Sequence, residues 1–442
     1  MAALLDGERK PITNRFMSLA ISDRFARWSR LSLEFALSQG LAQSAGMISG
    51  LIYVRLMPID EYALYAMALS SLTFVAIGGD VGLTGSLSYF WRQSGSDGNV
   101  IEPIIAVVQR LRSVFFVLAS FVCGAYLLKT ATEQHFSMIT VLACFGLVVA
   151  TAWSQLRAVL DIQLMRLQGM QRESYYCEAA GSITRLLAAV VMIATGITTA
   201  LFGLAGGLLG SLSILAALKS FMRTPRGNSQ PIARETWRKV LYYITPTFPT
   251  TLVYIAEGPL LLWLALTFGG KAPLAETFAV GRIGAIYGLL NIFIGAVVGP
   301  RLARVSNDAH FARMMGLFLL ALVFLSAAAT TVAYLTPSAL LLLIGPNYAH
   351  LEKQVVLMIA GSSISVLTAF LSTANRLRGW VRLEPVAASC QVVAIFSLAS
   401  QWSFHDSASV LELMVILAGA NFFWTSITSV VGLWVPGVVR VR

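Results

Sequence analysis

The chain has 442 residues, 57% hydrophobic and 12% charged, with a mean hydropathy of +0.74 and a formal net charge of +11. A water-soluble domain carries about twice that charged fraction, so a soluble globular protein and a disordered chain are both excluded. The basic surplus follows a membrane topology and needs no nucleic acid to account for it.

Residues 1–30 are polar and basic, with no apolar run before Leu31. They read as a cytoplasmic segment rather than a cleavable secretory signal. Around Arg15, Phe16, Leu19, Phe25 and Trp28 they fit either an amphipathic helix on the inner leaflet or an unstructured tail. Twelve apolar runs follow, each about long enough to cross a hydrocarbon core of about 30 Å as a helix. Spans 1–6 are Phe35–Val54, Tyr62–Gly79, Ser113–Leu128, Phe136–Leu156, Ala179–Gly196 and Thr198–Leu218. Spans 7–12 are Leu241–Leu266, Thr277–Val298, Met314–Tyr334, Val355–Thr373, Pro385–Trp402 and Met414–Trp434. Span 2 either stops at Gly78-Gly79-Asp80-Val81-Gly82 or continues through it to Phe90. Span 3 is short and gains length if Arg110 and Arg112 snorkel to the interface.

With the N-terminus inside, 26 Lys/Arg residues fall in cytoplasmic loops and termini, and four (Arg55, Lys129, Lys271 and Lys353) on the opposite side. That bias places both termini in the cytoplasm. Two arginines, Arg185 in span 5 and Arg282 in span 8, belong to neither side.

The polar, turn-rich stretch 221–239 divides the spans six and six, giving an N-lobe over 31–220 and a C-lobe over 240–442. The halves share signals. Arg166-Leu-Gln-Gly-Met-Gln-Arg172 follows span 4 and Arg376-Leu-Arg-Gly-Trp-Val-Arg382 follows span 10. Glu61 opens span 2 and Glu276 opens span 8, and Trp91-Arg92 and Pro300-Arg301 end those spans. Six is even, so both halves cross the membrane in the same sense, as parallel repeats with a central cavity expected between them. The fold class is an all-α polytopic membrane protein of about twelve helices in two six-helix lobes.

The chemistry-bearing residues are few. No P-loop pattern occurs, and His135, His310, His350 and His405 show no metal-ligand spacing. The four cysteines, Cys123, Cys144, Cys177 and Cys390, suggest no disulfide framework. No cofactor and no enzymatic activity are expected. The run Gly203-Leu-Ala-Gly-Gly-Leu-Leu-Gly210 reads as a close helix-packing surface. A charge inside hydrocarbon costs roughly 2.5–3.5 kcal/mol on insertion scales, so a deep ionisable residue faces a partner or a cavity. Arg185 and Arg282 either pair with Glu257, Asp80 or free carbonyls, or line a cationic cavity that receives phosphate, which guanidinium binds bidentately. Glu257 and Asp80 are candidates for coupling-ion or salt-bridge groups. Pro246, Pro249, Gly258 and Pro259 interrupt span 7 and mark it as the candidate gate or hinge.

Five segments carry a resemblance. They are Arg55-Leu-Met-Pro-Ile-Asp-Glu-Tyr-Ala-Leu-Tyr-Ala, Gly79-Asp-Val-Gly-Leu, Tyr242-Tyr-Ile-Thr-Pro-Thr-Phe-Pro, Pro300-Arg301 and Leu342-Leu-Ile-Gly-Pro-Asn-Tyr. In order and spacing the chain resembles the polysaccharide-export branch of the multidrug/oligosaccharidyl-lipid/polysaccharide (MOP) exporter superfamily. Tyr62-Ala63 departs from the commoner tyrosine-glycine of that branch.

The resemblance implies a flippase in the bacterial inner membrane. By alternating access it would move a polyprenyl-pyrophosphate-linked oligosaccharide to the outer leaflet, for exopolysaccharide, capsule or O-antigen assembly. Arg185 and Arg282 would take the diphosphate or acidic sugars. Expected partners are the lipid-linked substrate, membrane lipid, an H+ or Na+ coupling ion, and a polysaccharide polymerase with its chain-length regulator. The rivals are an ion-coupled multidrug exporter of the same superfamily and a membrane polysaccharide polymerase.

Overall fold

A computed structural model describes residues 39–94, 98–133, 136–221, 233–245, 248–299, 302, 305, 307–378, 380, 383–399, 404 and 406–435. Every one of the twelve expected spans contains helix. In lipid an α-helix satisfies its own backbone, and that is what apolar runs of this length form. Eight described helices are long and apolar enough to cross a membrane, which makes this a multi-pass membrane protein.

In the first half, α1 covers 39–56. It is followed by α2 (Ile59–Asp80), α3 (Leu83–Ser94), α4 (Gly98–Glu133), α5 (Met138–Leu167), α6 (Gln171–Thr195) and α7 (Ala200–Phe221). The second half contains α8 (Arg234–Ile244), α9 (Phe248–Leu264), α10 (Lys271–Gly284), α11 (Tyr287–Phe293), α12 (Asp308–Leu335), α13 (Pro337–Ile344), α14 (Glu352–Arg378), α15 (Glu384–Ala399) and α16 (Ser407–Trp434). Residues 1–38, most of the 221–239 linker, and Pro246, Pro300, Arg301, Arg382 and His135 lie outside the described residues.

Two spans differ from simple rods. Span 2 breaks where Val81 takes a left-handed conformation (φ 42°) and Gly82 follows at φ 76°; the chain then resumes as α3. Span 8 was expected to be continuous, but it turns at Ala285–Ile286 and ends in a π-helical segment, Ile294–Val298. The turn follows Gly284, whose missing Cβ would lie 2.9 Å from Ser362 Oγ and 3.1 Å from Met358 Sδ. Close packing on α14 thus holds α10 in place just where the helix gives way.

Span 3 corrects an expectation. Its helix, α4, runs for 36 residues, and Arg112 does not snorkel: it is 5% exposed. A carboxylate within reach, Asp80, holds it inside.

The halves share a packing scheme. The fourth and sixth spans pack together in each (α5 with α7, α14 with α16), and so do the second and fourth (α2 with α5, α10 with α14). The two opening carboxylates are used alike. Glu61 Oε2 accepts the backbone N–H of Ala200 at 2.8 Å, at the start of α7. Glu276 Oε2 accepts the hydroxyl of Ser407 at 2.6 Å, at the start of α16. Each acid sits at the positive end of its half's sixth-span helix.

The halves touch at both ends, first at the end carrying those carboxylates. There α2 packs on α10, and Lys271 Nζ lies 3.6 Å from Asp60 Oδ1 and 4.3 Å above the Phe136 ring. At the opposite end, the pairs Arg166–Glu178 (2.9 Å), Arg376–Glu384 (3.2 Å) and Arg378–Asp308 (3.2 Å) each stay within one half. There α8 crosses, packing Val240 and Ile244 among Leu83, Leu87 and Val108 of α3 and α4, and the start of α9 crosses beside it, with the Phe248 ring 5.8 Å from that of Phe115.

Candidate functional site

Three arginines lie within the bundle, Arg112 buried and Arg185 and Arg282 half-buried with buried guanidinium nitrogens, and their surroundings differ. Arg112 Nε lies 2.8 Å from Asp80 Oδ1, and its Nη2 donates to the Leu156 carbonyl at 2.5 Å. Asp80 also accepts from the Thr84 hydroxyl and, at 3.4 Å, from the Thr84 N–H. Arg112 thus has a counter-ion and a carbonyl acceptor within the protein, although its Nε is not aligned for a hydrogen bond to Asp80.

Arg282 projects from α10 toward α1 and α2 of the other half. A Cβ on Gly50 would lie 3.2 Å from its Nη1, so α1 makes room with a glycine. Its guanidinium carbon is 4.7 Å from the Phe278 ring centre, one turn earlier on α10, and 5.9 Å from that of Tyr65. The phenols of Tyr62 and Tyr65 lie against it.

Arg185 projects from α6 across α7. A Cβ on Gly210 would meet its Cγ at 2.6 Å and its Nε at 3.0 Å. A Cβ on Gly206 would meet Tyr53 Oη at 3.0 Å. Gly206 and Gly210 are about 6 Å apart along the helix, so Tyr53 and Arg185 occupy successive turns of one glycine ridge. Gly203, one further turn along, sits against Met57 and Tyr65. The glycine run is therefore a packing surface, as its spacing predicts.

The arginines of the two halves converge on one group of rings. Tyr53 and Tyr65 pack edge to face at 5.3 Å, Tyr62 and Tyr65 at 6.1 Å, and Tyr62 and Phe278 at 5.9 Å. The charges of Arg185 and Arg282 both reach Tyr53 and Tyr65. Tyr348 closes the group from the α13–α14 connection, its ring 6.4 Å from Tyr62. Burial pushes the Tyr348 phenol up to about 12, so it stays neutral.

What the cluster lacks is acceptors. Among the described residues neither Arg185 nor Arg282 forms an ion pair, and Arg185 Nε, Arg282 Nε, Arg282 Nη2, Tyr53 Oη and Tyr62 Oη are buried with no hydrogen-bond partner. A guanidinium can only donate. In this structure Asp80 is paired with Arg112 and Glu257 Oε2 accepts Gln391 Nε2 at 2.7 Å, and neither acid is paired with Arg185 or Arg282 among the described residues. Glu257 thus lies apart, within the second half, between α9 and α15.

The expected hinge residues fall along span 7. Pro249 is exposed near the start of α9, and Gly258 is exposed with open space beside it. The helix stays α-helical through Gly258 and Pro259 and then widens to a π-helical segment, Ala265–Gly269. The four tyrosines of the cluster were not singled out as site residues from the sequence, although Tyr62, Tyr65 and Tyr348 lie in the motifs that carry the resemblance. Their signal was Tyr62 and Tyr65 at i and i+3, facing one side of an otherwise apolar span.

By sequence, no family model and no curated protein matches the chain. By structure it is similar to the lipid II flippase MurJ in an inward closed conformation (TM-score 0.68, 12% identity, covering 92% of this chain and 93% of that one). It is also similar to a multidrug resistance MATE family transporter of the MOP superfamily in an inward-facing conformation (TM-score 0.60, 13% identity, covering 88% and 94%). A third likeness is to a MOP superfamily transporter from Pyrococcus furiosus (TM-score 0.51, 15% identity, covering 91% and 95%). The chain therefore has the fold of the MOP superfamily transporters.

Proposed function

We propose that the protein is a flippase of the bacterial inner membrane. Its substrate is a polyprenyl-pyrophosphate-linked oligosaccharide, moved by alternating access between two six-span lobes (31–220 and 240–442). The observation that carries this reading is the pair Arg185 and Arg282. One comes from each half; both bury guanidinium nitrogens in one tyrosine cluster and, among the described residues, neither has a carboxylate partner. An unpaired buried cation is costly, and an anionic ligand compensates it. An opening between the lobes would give the diphosphate and sugars a polar path while the polyprenyl tail stays in lipid. Both termini are assigned to the cytoplasm. The structural likeness to a lipid II flippase supports the same reading.

The second reading, an ion-coupled exporter of organic cations, draws on Glu257, an intramembrane carboxylate whose partner is the neutral amide of Gln391. In the flippase reading Glu257 is the coupling-ion group, and Asp80 is structural.

Deleting the gene and measuring lipid-linked repeat units by leaflet separates the two. A flippase loss leaves the units on the cytoplasmic leaflet, and wild-type protein clears them while Arg185→Ala/Arg282→Ala at equal protein level does not. Normal polymer combined with sensitivity to cationic dyes would replace this reading by the exporter.

A further inference from the structure

The unpaired groups around Arg185 and Arg282 come from four helices: Tyr53 on α1, Tyr62 on α2, Arg185 on α6 and Arg282 on α10. With Tyr348 Oη, also buried and unpartnered, they make six atoms; all can donate, and the three on guanidinium groups can do nothing else. The complement of such a set is rich in acceptors and poor in donors. A sugar hydroxyl brings a donor of its own and adds to the surplus. A sugar carboxylate has two oxygens on one carbon, which match the fork of one arginine and leave the rest unmet. A diphosphate spreads its oxygens over two phosphorus centres and reaches donors on more than one side.

We propose that Tyr53 and Tyr62 are ligand-binding residues whose hydroxyls, together with Arg185 and Arg282, select the lipid diphosphate over an acidic sugar. This rests on the assignment of Arg185 and Arg282 to the anion made above. The phenols add donors without adding charge. That matters in a site already holding two cations, because a third would raise the cost of the empty state.

Among the described residues neither hydroxyl has an aligned hydrogen-bond partner, although the Tyr62 phenol lies against Arg282, and this separates a binding role from a structural one. The rings pack at 5.3 Å (Tyr53–Tyr65) and 5.9 Å (Tyr62–Phe278), contacts that phenylalanine keeps. Removing a buried, unpaired hydroxyl relieves a desolvation penalty in the empty protein, whereas removing a structural hydrogen bond destabilises it.

The test uses purified full-length protein titrated with inorganic pyrophosphate and with glucuronate, followed by calorimetry and by melting temperature. Wild-type protein is expected to bind pyrophosphate at least about tenfold more tightly than glucuronate. Tyr53→Phe/Tyr62→Phe is expected to melt at or above the wild-type temperature without ligand, to lose about tenfold or more in pyrophosphate affinity, and to leave glucuronate binding unchanged. Unchanged pyrophosphate affinity in that variant, or glucuronate bound as tightly as pyrophosphate, overturns the assignment. Arg185→Ala/Arg282→Ala keeps the two levels apart. If the arginine variant loses pyrophosphate while the tyrosine variant does not, the tyrosine assignment falls and the cationic reading stands. If the arginine variant keeps pyrophosphate, both fall.

Discussion

The guanidinium groups of Arg112 and Arg282 are both buried against α2, near its two ends. Arg112 meets Asp80 at 2.8 Å and a carbonyl at 2.5 Å, so the protein supplies its counter-charge. Arg282 meets aromatic faces, two phenols and a glycine, and keeps unpaired N–H groups. Burial alone does not separate a functional cation from a structural one. What separates them is whether the protein supplies the acceptors itself.

The comparison is broken most directly by removing each charge. Arg112→Leu leaves Asp80 buried without its cation and is expected to cost about 3–5 kcal/mol of stability, with most of it regained in Asp80→Leu/Arg112→Leu. Arg282→Leu is expected to leave the melting temperature unchanged or higher while transport is lost. Equal destabilisation by the two single variants would erase the distinction.

A smaller effect sharpens it. Gly210→Ala drives a methyl to 2.6 Å from Arg185 Cγ and 2.8 Å from the Gly181 carbonyl, with an expected cost of about 1–3 kcal/mol and reduced transport. Next come the paired carboxylates. Glu61→Ala and Glu276→Ala each remove a bond at the head of a helix, at about 1–2 kcal/mol apiece by thermal unfolding. Losses differing severalfold between the two would argue against equivalent halves.

The smallest effect is at Asp406, which caps α16 by accepting the Ser409 N–H at 2.9 Å and its hydroxyl. Those bonds hold its carboxyl below the ordinary aspartate range. Its contribution is therefore complete above the unfolded value of about 4 and is lost as pH falls through the lower folded value. An exposed cap is worth about 0.5–1 kcal/mol. The melting temperature between pH 3 and pH 6 should fall more steeply for wild-type protein than for Asp406→Asn, which keeps a capping oxygen that does not titrate.

Much of the fold was legible in the sequence because hydrocarbon thickness and backbone hydrogen bonding leave apolar runs one solution. The repeat was legible in Glu61 and Glu276, whose bonds to Ala200 and Ser407 match across the halves. The site was legible only in part. Arg185 and Arg282 stand out because charge is rare in a span. The tyrosines do not, because an aromatic ring inside a membrane helix is ordinary and its hydroxyl counts only once its partners are known. Arg112 misled because it lies near Arg110 and beside the polar edge of span 3. Its partner, Asp80, is 32 positions earlier, a pairing that periodicity cannot announce.

The glycines of α7 also restrict how the molecule can move. Gly203 seats Met57 and Tyr65, Gly206 seats Tyr53, and Gly210 seats Arg185 and the Gly181 carbonyl of α6. Screwing α7 by one residue, a rise of about 1.5 Å, would carry Phe202, Ala205 and Leu209, or Leu204 and Ser211, into those seats. The helix therefore meshes with α1, α2 and α6 like a key in its wards, and these four elements travel as one block. Arg282, Phe278 and Tyr348 enter the cluster from outside that block. Any opening between the halves there must draw these side chains away from Tyr62 and Tyr65, and a ligand spanning both arginines would bridge the two sides of that seam.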